Sequence, residues 1–253
     1  MRPCKRIFAT TGDDKRPPQE PLGKNGGKRR TLFIGALTLG FGLGVALFFS
    51  KGVALPCKVC YPAAWLSVML FARLDKACVP VACALLFSAA GDAAGAAHYF
   101  LLQMFFFALA HIAYIRYFVR AAEFSRRRIA VAAVVGTGAL LFLFLYIVPH
   151  VAQPAERTGV VLYAATLIAM LVSVLLYRGR FKPVFLSAAL LFLYSDATIA
   201  WNKFVAPVPA SVYRIMVTYY AAQYLFALSA VLRCRRKAVQ KPAELPANGR
   251  PDS

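Results

Sequence analysis

Two carboxylates stand where a carboxylate is costly. The chain has ten acidic residues, and only Asp92 and Asp196 fall within or beside its long apolar runs; the other eight lie in tails or loops. An acid inside a hydrocarbon-length run costs roughly 2.5 to 3.5 kcal/mol on insertion scales, so it needs a partner, water or a chemical role. Other polar groups share these runs. His111 sits in AHIAY, and Tyr219, Tyr220 and Gln223 sit in YYAAQY. Each of their polar atoms needs a partner at mid-depth. Asn202 follows Asp196 by six residues. Two carboxylates withdrawn from water together can divide the work of acid–base catalysis, one holding a proton and the other a charge. The same pair can instead hydrogen-bond neighbouring helices and fix their packing, or relay protons in a transporter. His111 likewise has two readings, an interhelical hydrogen bond or a part in a site.

The elements that must position these groups are transmembrane helices. Hydrophobic residues make up 60% of the 253 positions, and the mean hydropathy is +0.61. That excess is gathered into runs long enough to span a bilayer as helices. Short alternating segments, the mark of a membrane β-barrel, are missing. The fold class is therefore all-α, a polytopic membrane bundle forming one domain. The runs predict eight spans: Thr31 to Phe49, Tyr61 to Phe71, Ala77 to Ala90, Ala97 to Val119, Ile129 to Val148, Gly159 to Tyr177, Pro183 to Phe204 and Ser211 to Leu232. The second and third are short, and the third ends in Gly91-Asp92. Residues 1–30 read as a disordered basic tail, 31–232 as the membrane domain, and 233–253 as a second disordered tail.

Charge tests the count. Eight spans put 25 Lys and Arg on one side and five on the other, the asymmetry expected when both termini are cytoplasmic. The net charge of +20 thus reads as topology and attraction to anionic lipid, not as a nucleic-acid partner. The same alternation gives Asp92 and Asp196 one depth. Asp196 lies 13 residues past Pro183, about 20 Å along a helix, in the half away from the basic loops. Both acids then face one region of the bundle.

Several familiar chemistries have no sequence support. There is no Gly-rich phosphate loop, no metal-ligand cluster and no GxSxG elbow, so neither a metal nor a cofactor is expected. Cys57 and Cys60 form a lone CxxC, too few ligands for a metal site, and read as two thiols or a local disulfide. Phe105 to Phe107 read as packing or lipid-facing. Gly40 and Gly44 give a small-residue helix-packing signal. His150, beside Pro149, reads as exposed.

Four stretches together carry a resemblance: FSAAGD (Phe87 to Asp92), AHIAY (Ala110 to Tyr114), LFLYSDATIAWNKF (Leu191 to Phe204) and YYAAQYLFALSA (Tyr219 to Ala230). In order and spacing this sequence resembles the YhhN family, which includes the lysoplasmalogenases, membrane hydrolases of the vinyl-ether bond of lysoplasmalogens. The resemblance implies an eight-span helical fold and a lysophospholipid substrate met in the bilayer. It implies a site of Asp92, Asp196, His111, Tyr219, Tyr220 and Gln223. Vinyl-ether hydrolysis begins with proton transfer to carbon, so Asp92 and Asp196 become the expected acid and its partner, their order open. His111, Tyr219, Tyr220 and Gln223 would orient water or substrate oxygens, and Asn202 would help hold the head group. A bacterial inner membrane and an endoplasmic reticulum both fit. A transporter using the same Asp pair as proton relays, or a non-catalytic lipid sensor, are the competing readings.

Overall fold

The computed structural model describes residues 24–50, 55–72 and 76–239. Among them the chain forms eight α-helices: α1 (Lys24–Phe49), α2 (Leu55–Ala72), α3 (Val79–Ala96), α4 (Phe100–Val119), α5 (Arg126–Phe142), α6 (Pro154–Leu176), α7 (Lys182–Ala200) and α8 (Ser211–Val239). Seven are long and apolar enough to cross a membrane; α2 contributes the shorter apolar stretch Cys57–Ala72. The protein is an integral, multi-pass membrane protein with a polytopic helical fold.

Local sequence explains the starts. Proline stands in the first turn of α3, α6 and α7, where its missing N–H would lack an intrahelical partner anyway. Ser125 caps α5 by accepting from Arg128 N at 3.4 Å. Several expected boundaries shift. Helix α3 runs to Ala96, so Asp92 lies inside it and does not end it. Helix α1 begins at Lys24 rather than Thr31, and α8 continues to Val239 rather than Leu232. Lys and Arg have good helix propensity, so the basic flanks extend these helices beyond the apolar runs. The expected disorder of residues 1–23 and 240–253 lies outside the described residues.

Neighbouring helices pack in sequence order, α1 on α2, α2 on α3, α3 on α4, α5 on α6 and α7 on α8. Helix α4 also packs on α6, and α8 closes back on α2 and α3. Gly40 and Gly44 do bring α1 against α2. A Cβ at Gly40 would lie 2.1 Å from Trp65 Cε2, and one at Gly44 would lie 2.5 Å from Tyr61 Cδ1. The main core holds Tyr114, Phe118, Phe185, Phe192 and Phe226, all buried. On the basic face the α4–α5 and α6–α7 loops are tied together. Glu123 N donates to Leu176 O at 2.8 Å and Arg178 N to Ala121 O at 2.7 Å, while the Glu123 carboxylate pairs with Arg128 and Arg178.

The opposite face is built differently. Helix α5 ends in a π turn (Leu143–Ile147) and a 3₁₀ turn (Val148–His150), and α7 ends in a π turn (Trp201–Val205). The two π turns meet around a second apolar cluster of Met104, Leu143, Ile147, Val151 and Val160. His150 is exposed there, as expected. His98 takes the left-handed φ of 66°, uncommon outside glycine but tolerated by His. It closes the tight α3–α4 turn and lays the end of α3 beside the start of α4.

Candidate active site

Asp92 on α3 and Asp196 on α7 line one small cavity of about 180 Å³, together with Val59, Gln103, Ser195, Ile215 and Tyr219 among others. Each carboxylate is held by a tyrosine. Tyr219 Oη donates to Asp92 Oδ2 at 2.8 Å, and Tyr163 Oη donates to Asp196 Oδ2 at 2.6 Å. These are short bonds, in the range for hydroxyl donors to carboxyl groups. Asp92 is 5% exposed, so its tyrosine is the compensation that burial in hydrocarbon demands. The tyrosines are held in turn. The Tyr219 ring packs against Phe107 and Phe192, at 5.8 and 5.4 Å between centroids.

A second, larger cavity of about 490 Å³ adjoins the first, and its lining is almost wholly apolar. Gln103, Phe107, Asp196 and Ile199 line both. Asp196 therefore stands at the junction of an almost wholly apolar chamber and a smaller, more polar one that also holds Gln103, Ser195 and Tyr219, and Asp92 faces only the smaller one. The tight α3–α4 turn sets this junction. A Cβ at Gly95 would fall 2.6 Å from Gln103 Cδ, so only glycine lets the Gln103 amide fill that position without displacement. The larger cavity extends from Leu190 on α7 to Phe204 in the π turn after it, 14 residues or about 20 Å. Its wall also has an outward face. Phe142 on α5 and Leu190 and Tyr194 on α7 line the cavity, yet remain 39%, 47% and 46% exposed. The cavity is thus open sideways between α5 and α7, toward the bilayer's hydrocarbon.

Of the residues expected in the site, the structure brings Asp92, Asp196 and Tyr219 together. The other four line neither cavity. His111 is buried behind Tyr163 and Phe192, with ring centroids 5.2 Å from each. Thr166 donates to Tyr163 O at 2.7 Å, so its oxygen accepts from His111 Nδ1 at 3.2 Å, and Nε2 lacks a hydrogen-bond partner. Tyr220 Oη donates to Val59 O at 3.2 Å, bracing the cavity wall from behind. Gln223 lies one turn along α8 from Tyr219, fully buried, and neither of its amide atoms has a hydrogen-bond partner. Asn202 is exposed, and its Oδ1 accepts from Val208 N at 2.9 Å. It holds the α7–α8 turn.

Three residues that the sequence did not single out do line the site: Tyr163, Gln103 and Phe107. Gln103 carries the same signal as Gln223, an amide inside an apolar run, here FLLQMFFF. Tyr163 carried none, because a single tyrosine in a span is ordinary. Phe105 to Phe107, which read as packing or lipid-facing, divide: Phe105 is 57% exposed, whereas Phe107 is buried and lines the cavity with both acids. Among the described residues no group of three His, Cys, Asp or Glu could hold a metal. Cys57 and Cys60 are free thiols.

Three of the four quoted motifs contribute a residue to this site, Asp92, Asp196 and Tyr219, and a family model matches the stretch that holds all four. The model described as the YhhN family matches residues 46–230, which is well over half of the chain. The chain belongs to the YhhN family. The YhhN match takes in α2 through most of α8, every helix that lines either cavity. Among curated relatives, this YhhN chain is 36% identical over 166 residues to a protein of Bos taurus named lysoplasmalogenase TMEM86A, covering 58% of this chain and 63% of that one. It is 35% identical over 155 residues to human lysoplasmalogenase TMEM86B, covering 58% and 62%. A 45-residue stretch is 64% identical to human lysoplasmalogenase TMEM86A, covering 18% and 19%. The chain thus spans about three-fifths of the length of the first of these relatives. No solved structure matches it.

Proposed function

We propose that this YhhN protein hydrolyses the vinyl-ether bond of lysoplasmalogens within the membrane, with Asp196 as general acid and Asp92 as general base. One observation carries the reading: Asp196 alone of the two acids borders both the apolar chamber and the polar one. The hydrolysis has the same division, an alkenyl chain that belongs in the apolar chamber and a water that must reach the carbon beside oxygen. The apolar chamber is of ordinary ligand-pocket volume. A chain lying in it brings the reacting carbons past Asp196.

The chemistry follows from the hydrogen bonds. Tyr163 donates to Asp196 Oδ2, so Oδ2 is an acceptor and the carboxyl proton belongs on Oδ1. Asp196 gives that proton to the alkene carbon remote from oxygen. The carbon beside oxygen becomes an oxocarbenium centre, and the new Asp196 carboxylate stabilises it. Water in the polar chamber, which has room for a few molecules, adds to that centre. Asp92 takes its proton. The hemiacetal then collapses: Asp92 returns the proton to the leaving ether oxygen, and Asp196 recovers one from the hemiacetal hydroxyl. A fatty aldehyde and a glycerophospho-alcohol leave, and both acids regain their starting states. General acid and base groups are worth roughly 10²- to 10⁴-fold each. The names of the TMEM86 relatives support the same reaction. The apolar lining of the larger chamber suits a lipid chain better than a polar solute, which weighs against transport.

The test is direct. Purified protein in lipid nanodiscs is given an alkenyl lysophospholipid, and fatty aldehyde is measured. Wild type forms aldehyde; Asp92→Asn and Asp196→Asn each lose it while keeping the wild-type melting profile. Wild-type rates in either variant refute the role given to that residue.

A further inference from the structure

The larger cavity ends against a charged pair that the reaction leaves unused. Lys203 lies in the π turn after α7, seven residues beyond Asp196. That is about 10 Å along the helical path, across the change from α7 to the π turn. Its Nζ stands 4.4 Å from the centroid of the Phe100 ring and 5.3 Å from that of Phe204. Both rings line the cavity. The same Nζ is 3.4 Å from Glu156 Oε1 on α6, and both side chains are partly exposed, at 37% and 27%. Two other cations of this face are engaged elsewhere: Lys58 donates to Ser50 O, and Arg157 donates twice to Val151 O.

Two phenyl faces and a carboxylate around an ammonium form a cation-binding cage. Here it is filled by a lysine of the chain itself. An ion pair of this exposure is worth little to stability, so its members can exchange partners at small cost. From this we infer that Lys203 and Glu156 form a head-group subsite matched to a zwitterionic phosphoamine. Lys203 takes the phosphate. The amine replaces Lys203 against Glu156 and the faces of Phe100 and Phe204. The subsite fixes direction as well as charge: the head group lies at the Phe204 end, the chain runs toward Leu190, and the ether stands between them beside Asp196. This inference rests on the lysophospholipid reading above.

Binding of saturated ether lipids, which contain no vinyl bond, separates the two. The probes are the hexadecyl ethers of glycerophosphocholine and of glycerol. Both are titrated by microscale thermophoresis against wild type, Lys203→Met, Lys203→Arg and Glu156→Gln in detergent micelles. Losing a charged hydrogen-bond partner should weaken the phosphocholine lipid about 10-fold or more in Lys203→Met. Lys203→Arg should restore most of it. Glu156→Gln should weaken the phosphocholine lipid selectively. The glycerol ether should bind all four proteins alike, which also shows that each is folded. Equal weakening of both lipids, or of neither, in Lys203→Met overturns the subsite. The expected binding pattern in a protein that forms no aldehyde would refute the hydrolase reading and leave the subsite standing.

Discussion

Tyr163→Phe is the most informative single change, because it removes one oxygen and one hydrogen bond. The bond lost is Tyr163 Oη to Asp196 Oδ2, 2.6 Å long. With Asp196 as the general acid its ground state is neutral, and a hydrogen bond to a neutral group is worth about 0.5 to 1.5 kcal/mol. As the proton leaves for carbon, Asp196 acquires charge, and a bond to a charged group is worth about 1.5 to 3 kcal/mol. Only the difference, about 1 to 1.5 kcal/mol, lowers the barrier. That corresponds to a fall in kcat of about 5- to 13-fold. The phenyl ring keeps its place against His111, so KM for the lipid should change little. The assay is aldehyde release from an alkenyl lysophospholipid, coupled to an aldehyde dehydrogenase and followed at saturating substrate. Tyr194→Phe is the control, since Tyr194 lines the same cavity and is 46% exposed; it should stay within about 2-fold of wild type. An unchanged kcat in Tyr163→Phe would show that Asp196 does not gain charge in the slow step, and the assignment of the acid would fall.

Further outcomes follow from the same geometry. Asn202→Ala should lower stability by about 1 kcal/mol through loss of the Val208 N–H bond and leave KM unchanged; a raised KM with normal melting would return Asn202 to the substrate. Gly40→Ala puts a Cβ 2.1 Å from the rigid Trp65 indole and should cost about 1 to 3 kcal/mol by overpacking. Its kcat should persist, because α1 lines neither cavity, and thermal melting alongside turnover checks both. Ala139→Phe fills the apolar chamber from α5 and should raise KM for long alkenyl chains more than for short ones, read from a chain-length series. A fluorescent protein fused after Ser253 should report the cytoplasmic side, as the 25-to-5 division of basic residues requires.

The architecture was legible because hydrocarbon is an exacting solvent. Runs from Thr31 to Leu232 announced helices, and the two acids within them announced a region of interest. The Asp92, Asp196 and Tyr219 grouping was legible for the same reason, since polar atoms in apolar spans need partners. That reasoning finds which residues are buried together, not which of them face a cavity. Gln223 and His111 satisfied it as well as Asp196 did, yet they lie behind the wall. Direction around a helix separates them, and a helix whose outer face meets lipid carries no polar face to reveal it. Asn202 failed for a different reason. Six residues past Asp196 the backbone has widened into a π turn, and the Asn202 amide serves the following loop. Tyr163 was invisible because its importance is wholly relational: it matters through the carboxylate 33 positions away.

The gap between α5 and α7 has a kinetic consequence. A portal in the flank of a membrane protein draws its ligand from the surrounding leaflet and not from the aqueous phase. Occupancy then depends on the mole fraction of that lipid among its neighbours, and diluting the vesicles at fixed composition leaves it unchanged. Packing and fluidity of the host bilayer become part of the rate law, because Phe142, Leu190 and Tyr194 are its threshold.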